Sequence, residues 1–254
     1  MNSFARLFAV ACFACLPAVW LSAGVDEVIT QARGAIGPEE KLNAVTSIHY
    51  TGRLETTAPD AEGALKPVDV SIELIFKKHD RQRIVATSDK KIEVTALYGY
   101  EAWQREQDPA DGSRWRLTLL PPAHMQRLRA NTWEVLSFYR GIERRGGRID
   151  DLGTVTFEGK PCSRLSFVHD DGTIFTRTFD QSSGRLLLTE AGNGIEIREE
   201  GEIFAGGLRF PRKMVTVNRA APGEKPRVIS ITFDKVTVNE EFADSLFEIP
   251  LFNR

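Results

Sequence analysis

Four histidines, His49, His79, His124 and His169, are the side chains best suited to general-base or metal chemistry, and their spacing supports neither. They lie far apart, and none belongs to an HExxH or a zinc-finger CxxC…H set. His169-Asp170-Asp171-Gly172 gathers a ring nitrogen and two carboxylates, which could hold a metal. The Asp-Gly pair favours a hairpin turn, and the turn is the reading taken. Asp108-Pro109-Ala110-Asp111-Gly112 lacks the ligand order of an EF-hand and reads as a loop. There is no G-x-S-x-G elbow, and Cys162 has no evident histidine partner, so it reads as an inert buried thiol. No catalytic set emerges; a non-enzyme without metal or cofactor is expected. The densest basic cluster holds Arg140, Arg144, Arg145 and Arg148. It suits a solvated helix end, where cations complement the dipole, or docking to anionic lipid head groups.

The residues with the clearest physical task are apolar. In ANTWEVLSFYRGIERRGG, residues 130–147, a helical wheel gathers Val135, Leu136, Phe138, Tyr139 and Ile142 within about 160°. Trp133 falls outside that arc, near Ser137 and Arg140. A helix on one sheet needs one apolar stripe. This wide stripe plus a tryptophan implies burial on two sides, or an apolar cover that is not always present. The spacing predicts a helix from about Ala123 to Arg144, entered at Pro121-Pro122 and left at Gly146-Gly147.

Strands must position that helix. In VDVSIELIF, Val68, Val70, Ile72, Leu74 and Phe76 alternate with Asp69, Ser71 and Glu73, although Ile75 interrupts the polar face. Period two over nine residues means a sheet with one covered and one mostly wet face. Ile48, Tyr50 and Leu54 repeat the pattern, as do Ile92, Val94, Ala96 and Tyr98, and Trp115, Leu117 and Leu119. Turn signals at Glu158-Gly159, Asp171-Gly172 and Gly184 connect consecutive strands, and the polar loop AAPGEKP joins the last two. About a dozen strands with short links, no βαβ rhythm and no linker make one antiparallel meander, which tends to curl. Before it, Val28, Ile29, Ala32 and Ile36 mark a helix that ends at Gly37-Pro38, with Asp26 and Glu27 in its first turn.

Residues 1–24 carry one charge, Arg6, and an apolar run from Leu7 to Trp20, then Leu21-Ser22-Ala23. This reads as a cleaved secretory signal, and the chain as periplasmic. A lipoprotein reading would acylate Cys12 or Cys15, which lie inside the run rather than after it. The mature chain keeps Cys162 alone, so its core must suffice without a disulfide. Without Arg6, 32 basic residues face 35 acidic ones, which excludes a nucleic-acid surface. Residues 25–254 are expected to form a single domain and a monomer.

The order of helix, strands, ALYGYEAWQRE, central apolar helix, FEGKPCSRLSF, DDGTIFTRTFDQSSGRLLLTE and closing FADSLFEIP resembles the outer-membrane lipoprotein carrier (LolA-like) superfamily, in its broad lipoprotein-sorting branch. The resemblance spans nearly the whole mature chain. It implies a mainly β fold: a curled, half-open antiparallel β-barrel with an N-terminal helix and a central helical lid over an apolar cavity. It also implies a carrier that shields lipid or lipoprotein acyl chains. The loop PADGSRW is longer and more charged than the dedicated carrier has. None of Arg53, Arg81 and Arg83 matches a particular arginine of that carrier, so cargo identity does not transfer. An acyl chain in water costs about 0.8 kcal/mol per methylene, so sixteen carbons need on the order of 10 kcal/mol of cover. The ligand-binding residues expected are Trp133, Leu136, Phe138, Tyr139 and Ile142 from the helix, and Trp115, Leu117, Leu74 and Phe76 from the strands. The alternative function is a non-catalytic envelope subunit that docks an inner- or outer-membrane transporter or complex.

Overall fold

The computed structural model describes residues 24–59, 65–192, 194–219 and 226–250. The signal segment up to Ala23 and most of the AAPGEKP loop lie outside the described residues.

Two short helices, α1 (Val25–Gly34) and α2 (Glu39–Asn43), open the described chain. Six strands follow: β1 (Ser47–Pro59), β2 (Leu65–Lys77), β3 (Arg81–Thr87), β4 (Ile92–Tyr98), β5 (Glu101–Gln107) and β6 (Trp115–Leu119). Helix α3 (Pro122–Ser137) and a 3-10 turn (Ile142–Arg145) lead into β7 (Arg148–Phe157), β8 (Lys160–Val168), β9 (Ile174–Asp180), β10 (Leu186–Ala191) and β11 (Ile195–Glu200). A small hairpin, β12 (Ile203–Ala205) and β13 (Leu208–Phe210), precedes β14 (Lys213–Asn218) and β15 (Arg227–Val238).

Thirteen of these strands form one antiparallel sheet in the order β6-β5-β4-β3-β2-β1-β15-β14-β11-β10-β9-β8-β7. The sheet does not close: β6 and β7 are its two free edges, the half-open barrel expected from the sequence. The segment that joins those edges in sequence is α3 with the 3-10 turn. A thirteen-stranded sheet curls under its own twist, and the curl leaves a concave face to be covered. At the Glu158-Gly159 turn both residues have positive φ (49° and 77°), the two-residue geometry that matches strand twist. At Gly52 the register of β1 against β15 shifts, and a Cβ there would meet the Thr232 carbonyl oxygen at 2.1 Å. Only glycine fits that bulge.

Two apolar clusters fill the concave side. One joins Leu42 of α2, Ile48 and Tyr50 of β1, Ile72, Leu74 and Phe76 of β2, Leu136 and Phe138, and Leu208 and Phe210 of the small hairpin. The other joins Val28, Ile29 and Ala32 of α1 with Ala130, Ile142, Leu165, Phe167, Phe175 and Phe179. The alternation in β2 therefore reads correctly. The convex face is drier than the alternation predicts. The closing segment folds back over it: Trp103 donates its indole N–H to the Phe247 carbonyl at 2.9 Å, and Phe242 meets His49 edge-on. Asp244 accepts from Lys77 and Arg81, both at 2.8 Å, and these cations hold its carboxyl below the usual range. Ile75, the residue that broke the polar face, is buried there.

Candidate lid site

The central helix is shorter than its apolar pattern suggests. It ends at Ser137, and Phe138 and Tyr139 both adopt left-handed backbone (φ 48° and 71°). The arc drawn through Phe138, Tyr139 and Ile142 is therefore not one helical face. Left-handed backbone is costly for bulky side chains, so something must hold it. Arg33, 2% exposed, supplies the hold. Its guanidinium donates to the carbonyls of Ser137 and Phe138 at 2.9 and 2.8 Å, the end of α3 that has no further turn to bond. Glu39 receives the same guanidinium through a two-point contact at 2.8 and 2.9 Å, and Asn43 accepts a further bond. Arg33 and Arg140 in turn hold the Glu39 carboxyl below the usual glutamate range.

The break separates the expected site residues. Phe138 and Tyr139 line a cavity of about 150 Å³ between α3 and the concave sheet, together with Val135, Phe175, Leu186 and Ile197. Leu74 and Phe76 pack beside Phe138 in the first cluster, and Ile142, 1% exposed, packs in the second. Trp133 and Leu136 line a different pocket, on the side of α3 toward α2 and the β2–β3 turn. Trp115 and Leu117 do not join the others. Pairing carries Leu74 to Ile84 and Thr95, and so to Gln104 and Thr118. Leu117 and Trp115 pair with Arg105 and Gln107, on the face of Trp103, Ala96 and Ile75. The strands alternate as expected, but β6 presents these two side chains on the convex face, away from the cavity.

The polar end of the cavity was not expected from the sequence. Glu134, on α3, lies between His169 and Arg177 with side chains 3%, 4% and 8% exposed. His169 Nε2 is 2.9 Å from one carboxylate oxygen, and the Arg177 guanidinium binds the other. The guanidinium also lies over the rings of Phe167 and Tyr139, 4.7 and 4.9 Å from their centroids. Burial opposes ionisation of Glu134, but the Arg177 charge and the bonds from His169 and Arg177 bring its pKa below the ordinary value. Glu199 lines the same cavity and has the opposite shift: burial raises its pKa against the pull of Arg209 and Arg177. Burial also raises both the Tyr50 and Tyr139 phenols.

This network has a legible signature. Phe175, Arg177 and Phe179 alternate on one strand, so an arginine sits between two inward phenylalanines. Glu134 lies four residues from both Ala130 and Phe138, an acid on an apolar helix face. The HDDG segment forms the turn expected of it, with Gly172 at φ 84°, while its histidine points inward to Glu134. A Glu–His pair is the orienting half of a nucleophilic triad. Among the described residues no serine, threonine or cysteine side chain bonds His169, whose ring packs edge-on against Phe175. The pair ties helix to sheet.

At the level of sequence, no family model and no curated protein matches the chain. Solved structures do match its fold. A LolA superfamily protein from Nitrosomonas europaea superposes with a TM-score of 0.58 at 11% identity, covering 90% of this chain and 99% of that one. A DUF1329 family protein from Desulfovibrio piger gives 0.54 at 10%, covering 88% and 97%. An outer membrane lipoprotein-sorting protein domain from Vibrio parahaemolyticus gives 0.51 at 10%, covering 86% and 95%. The chain has the LolA-like fold.

Proposed function

We propose that this chain is a periplasmic carrier or binding protein for the acyl chains of lipid or lipoprotein, exported by the signal at residues 1–24 and working as a monomer without catalysis. One observation carries the reading. The two free edges of a half-open sheet are bridged by a single helical segment, and that segment, with α1, α2 and the small hairpin, covers the apolar concave face. The same fold in a lipoprotein-sorting domain supports it. The cavity under the helix is smaller than the 300–1,000 Å³ of ordinary ligand pockets, so cargo enters by displacing α3. Phe138, Tyr139 and Val135 then meet the acyl chain, and Leu74 and Phe76 form its floor.

A second reading has its own observation. Edge strand β6 exposes Leu119 (62%) and Trp115 (42%), two large apolar side chains on a free sheet edge. Such an edge suits β-strand addition by a membrane-protein partner. Native mass spectrometry with organic extraction of the exported chain separates the two. A carrier retains about one acyl lipid per chain, or takes up a fluorescent fatty acid saturably. A chain that neither retains nor binds acyl ligand, yet co-purifies with a membrane protein, supports docking instead.

A further inference from the structure

The larger pocket lies on the outer side of the lid and has a different chemistry. It encloses about 760 Å³ between α2, the β2–β3 turn and the far side of α3. Its wall holds six cations, Arg33, Lys78, Arg129, Arg140, Arg144 and Arg145, and one carboxylate, Asp80. Asp80 is saturated: Arg145 grips it at 2.8 and 2.9 Å and Arg129 at 3.1 Å. Glu39, just outside, serves Arg33 and Arg140. Counting both acids, four positive charges remain uncompensated.

Two of those cations make no side-chain ion pair among the described residues. Lys78 is half-buried, and burial together with the nearby Arg33 charge lowers its ammonium pKa. Arg144 stands exposed at the rim. A cation kept half-buried without an acid is held at a cost that a bound anion would relieve. The rest of the wall mixes apolar Leu42, Leu136 and the Trp133 ring with polar Asn43, His79, Thr132 and Ser137. The Trp133 indole N–H is buried and has no acceptor among the described residues. Leu42 and Leu136 also belong to the apolar cluster beneath the lid, so the cationic pocket and the concave core share a wall.

We infer that this pocket seats the phosphate-class anionic head group of an amphiphile whose acyl chains lie under the lid, with Lys78 and Arg144 as its free cations. The inference rests on the carrier reading and narrows its cargo to anionic amphiphiles. It also gives the arginine cluster around residues 140–148 a task for Arg140, Arg144 and Arg145.

The test is calorimetric titration of the full mature chain with three ligands: monomeric dioctanoyl phosphatidylglycerol, dioctanoylglycerol, which has the same acyl chains and no phosphate, and inorganic phosphate. The expected result is at least about tenfold tighter binding of the phospholipid than of dioctanoylglycerol. Lys78→Gln and Arg144→Gln together should erase that preference and leave dioctanoylglycerol affinity unchanged. Thermal midpoints check that the variants fold, and the Arg144 side chain makes no hydrogen bond or ion pair among the described residues that its loss would break. Equal affinity for the two lipids, or variants that weaken both alike, overturns the head-group site and leaves the carrier standing. If neither lipid binds, the carrier reading and this inference fail together. Phosphate binding that disappears in the variants would then mark the pocket as a site for a soluble anion.

Discussion

The two sides of α3 carry opposite chemistry. Toward the concave sheet, Ala130, Glu134 and Phe138 are buried, and the one charge among them is matched by Arg177 and His169. Toward α2 and the β2–β3 turn, Arg129, Trp133 and Leu136 border open volume with surplus positive charge. A buried, satisfied ion pair adds little net stability over an apolar filling but is costly to break. The inner side therefore fixes where the lid rests. The outer side, with cations that lack acids, has capacity left for a ligand. One helix both latches to the sheet and presents a cationic wall.

The comparison breaks most sharply at Glu134. Glu134→Ala leaves Arg177 buried without its acid and should cost about 3–5 kcal/mol in urea unfolding. The double variant Glu134→Leu/Arg177→Met removes both charges and should recover most of that loss, since apolar replacement of a buried pair is near neutral. If the single variant loses under about 1 kcal/mol, the pair does not hold the lid.

Next comes Arg33. Arg33→Met strips the carbonyls of Ser137 and Phe138 of their donor and frees Glu39, with an expected loss of about 2–3 kcal/mol. The left-handed Phe138-Tyr139 turn should loosen first, seen as faster amide exchange at residues 138–141 than in β8.

The two cavity acids predict opposite pH behaviour. Glu134 has a folded pKa below the ordinary 4.5, so its contribution is present above that pH and is lost as pH falls through the lowered value. Glu199 is raised from 4.5, so its contribution is complete below that pH and is lost as pH rises through the elevated value. Glu199→Gln should therefore leave acid stability unchanged and flatten the decline on the alkaline side of 4.5. A steeper alkaline decline in the variant would mean that Glu199 is ionised and paired in the fold.

The smallest effect belongs to the outer side. Lys78→Gln and Arg144→Gln should change stability by no more than about 0.5 kcal/mol, because neither bonds an acid within the fold. A large loss from either would move its side chain from the cationic wall to the framework.

The sequence makes the periodic parts of this molecule legible. Ile72, Leu74 and Phe76 fall inward as their spacing requires, and Glu158-Gly159 turns as its residue types require. Alternation gives a period but no absolute face. Only the register carried from β2 through β5 shows that Trp115 and Leu117 sit opposite Leu74. The end of α3 was hidden because it is set by Arg33, more than a hundred residues earlier in the chain, rather than by a local stop signal. Glu134 and Arg177 were visible as charges on apolar faces, but their partnership is a long-range contact.

The lid claim is tested most directly by the distance between a spin label at exposed Arg127 on α3 and one at exposed Glu200 on β11, measured by pulsed electron resonance. The label pair is read with and without saturating dioctanoyl phosphatidylglycerol. A lid that lifts for cargo predicts a longer or broader distance distribution in the loaded chain, and the original one after the lipid is stripped. An unchanged distribution in a chain shown to hold the lipid would mean that α3 is fixed core and that cargo sits elsewhere.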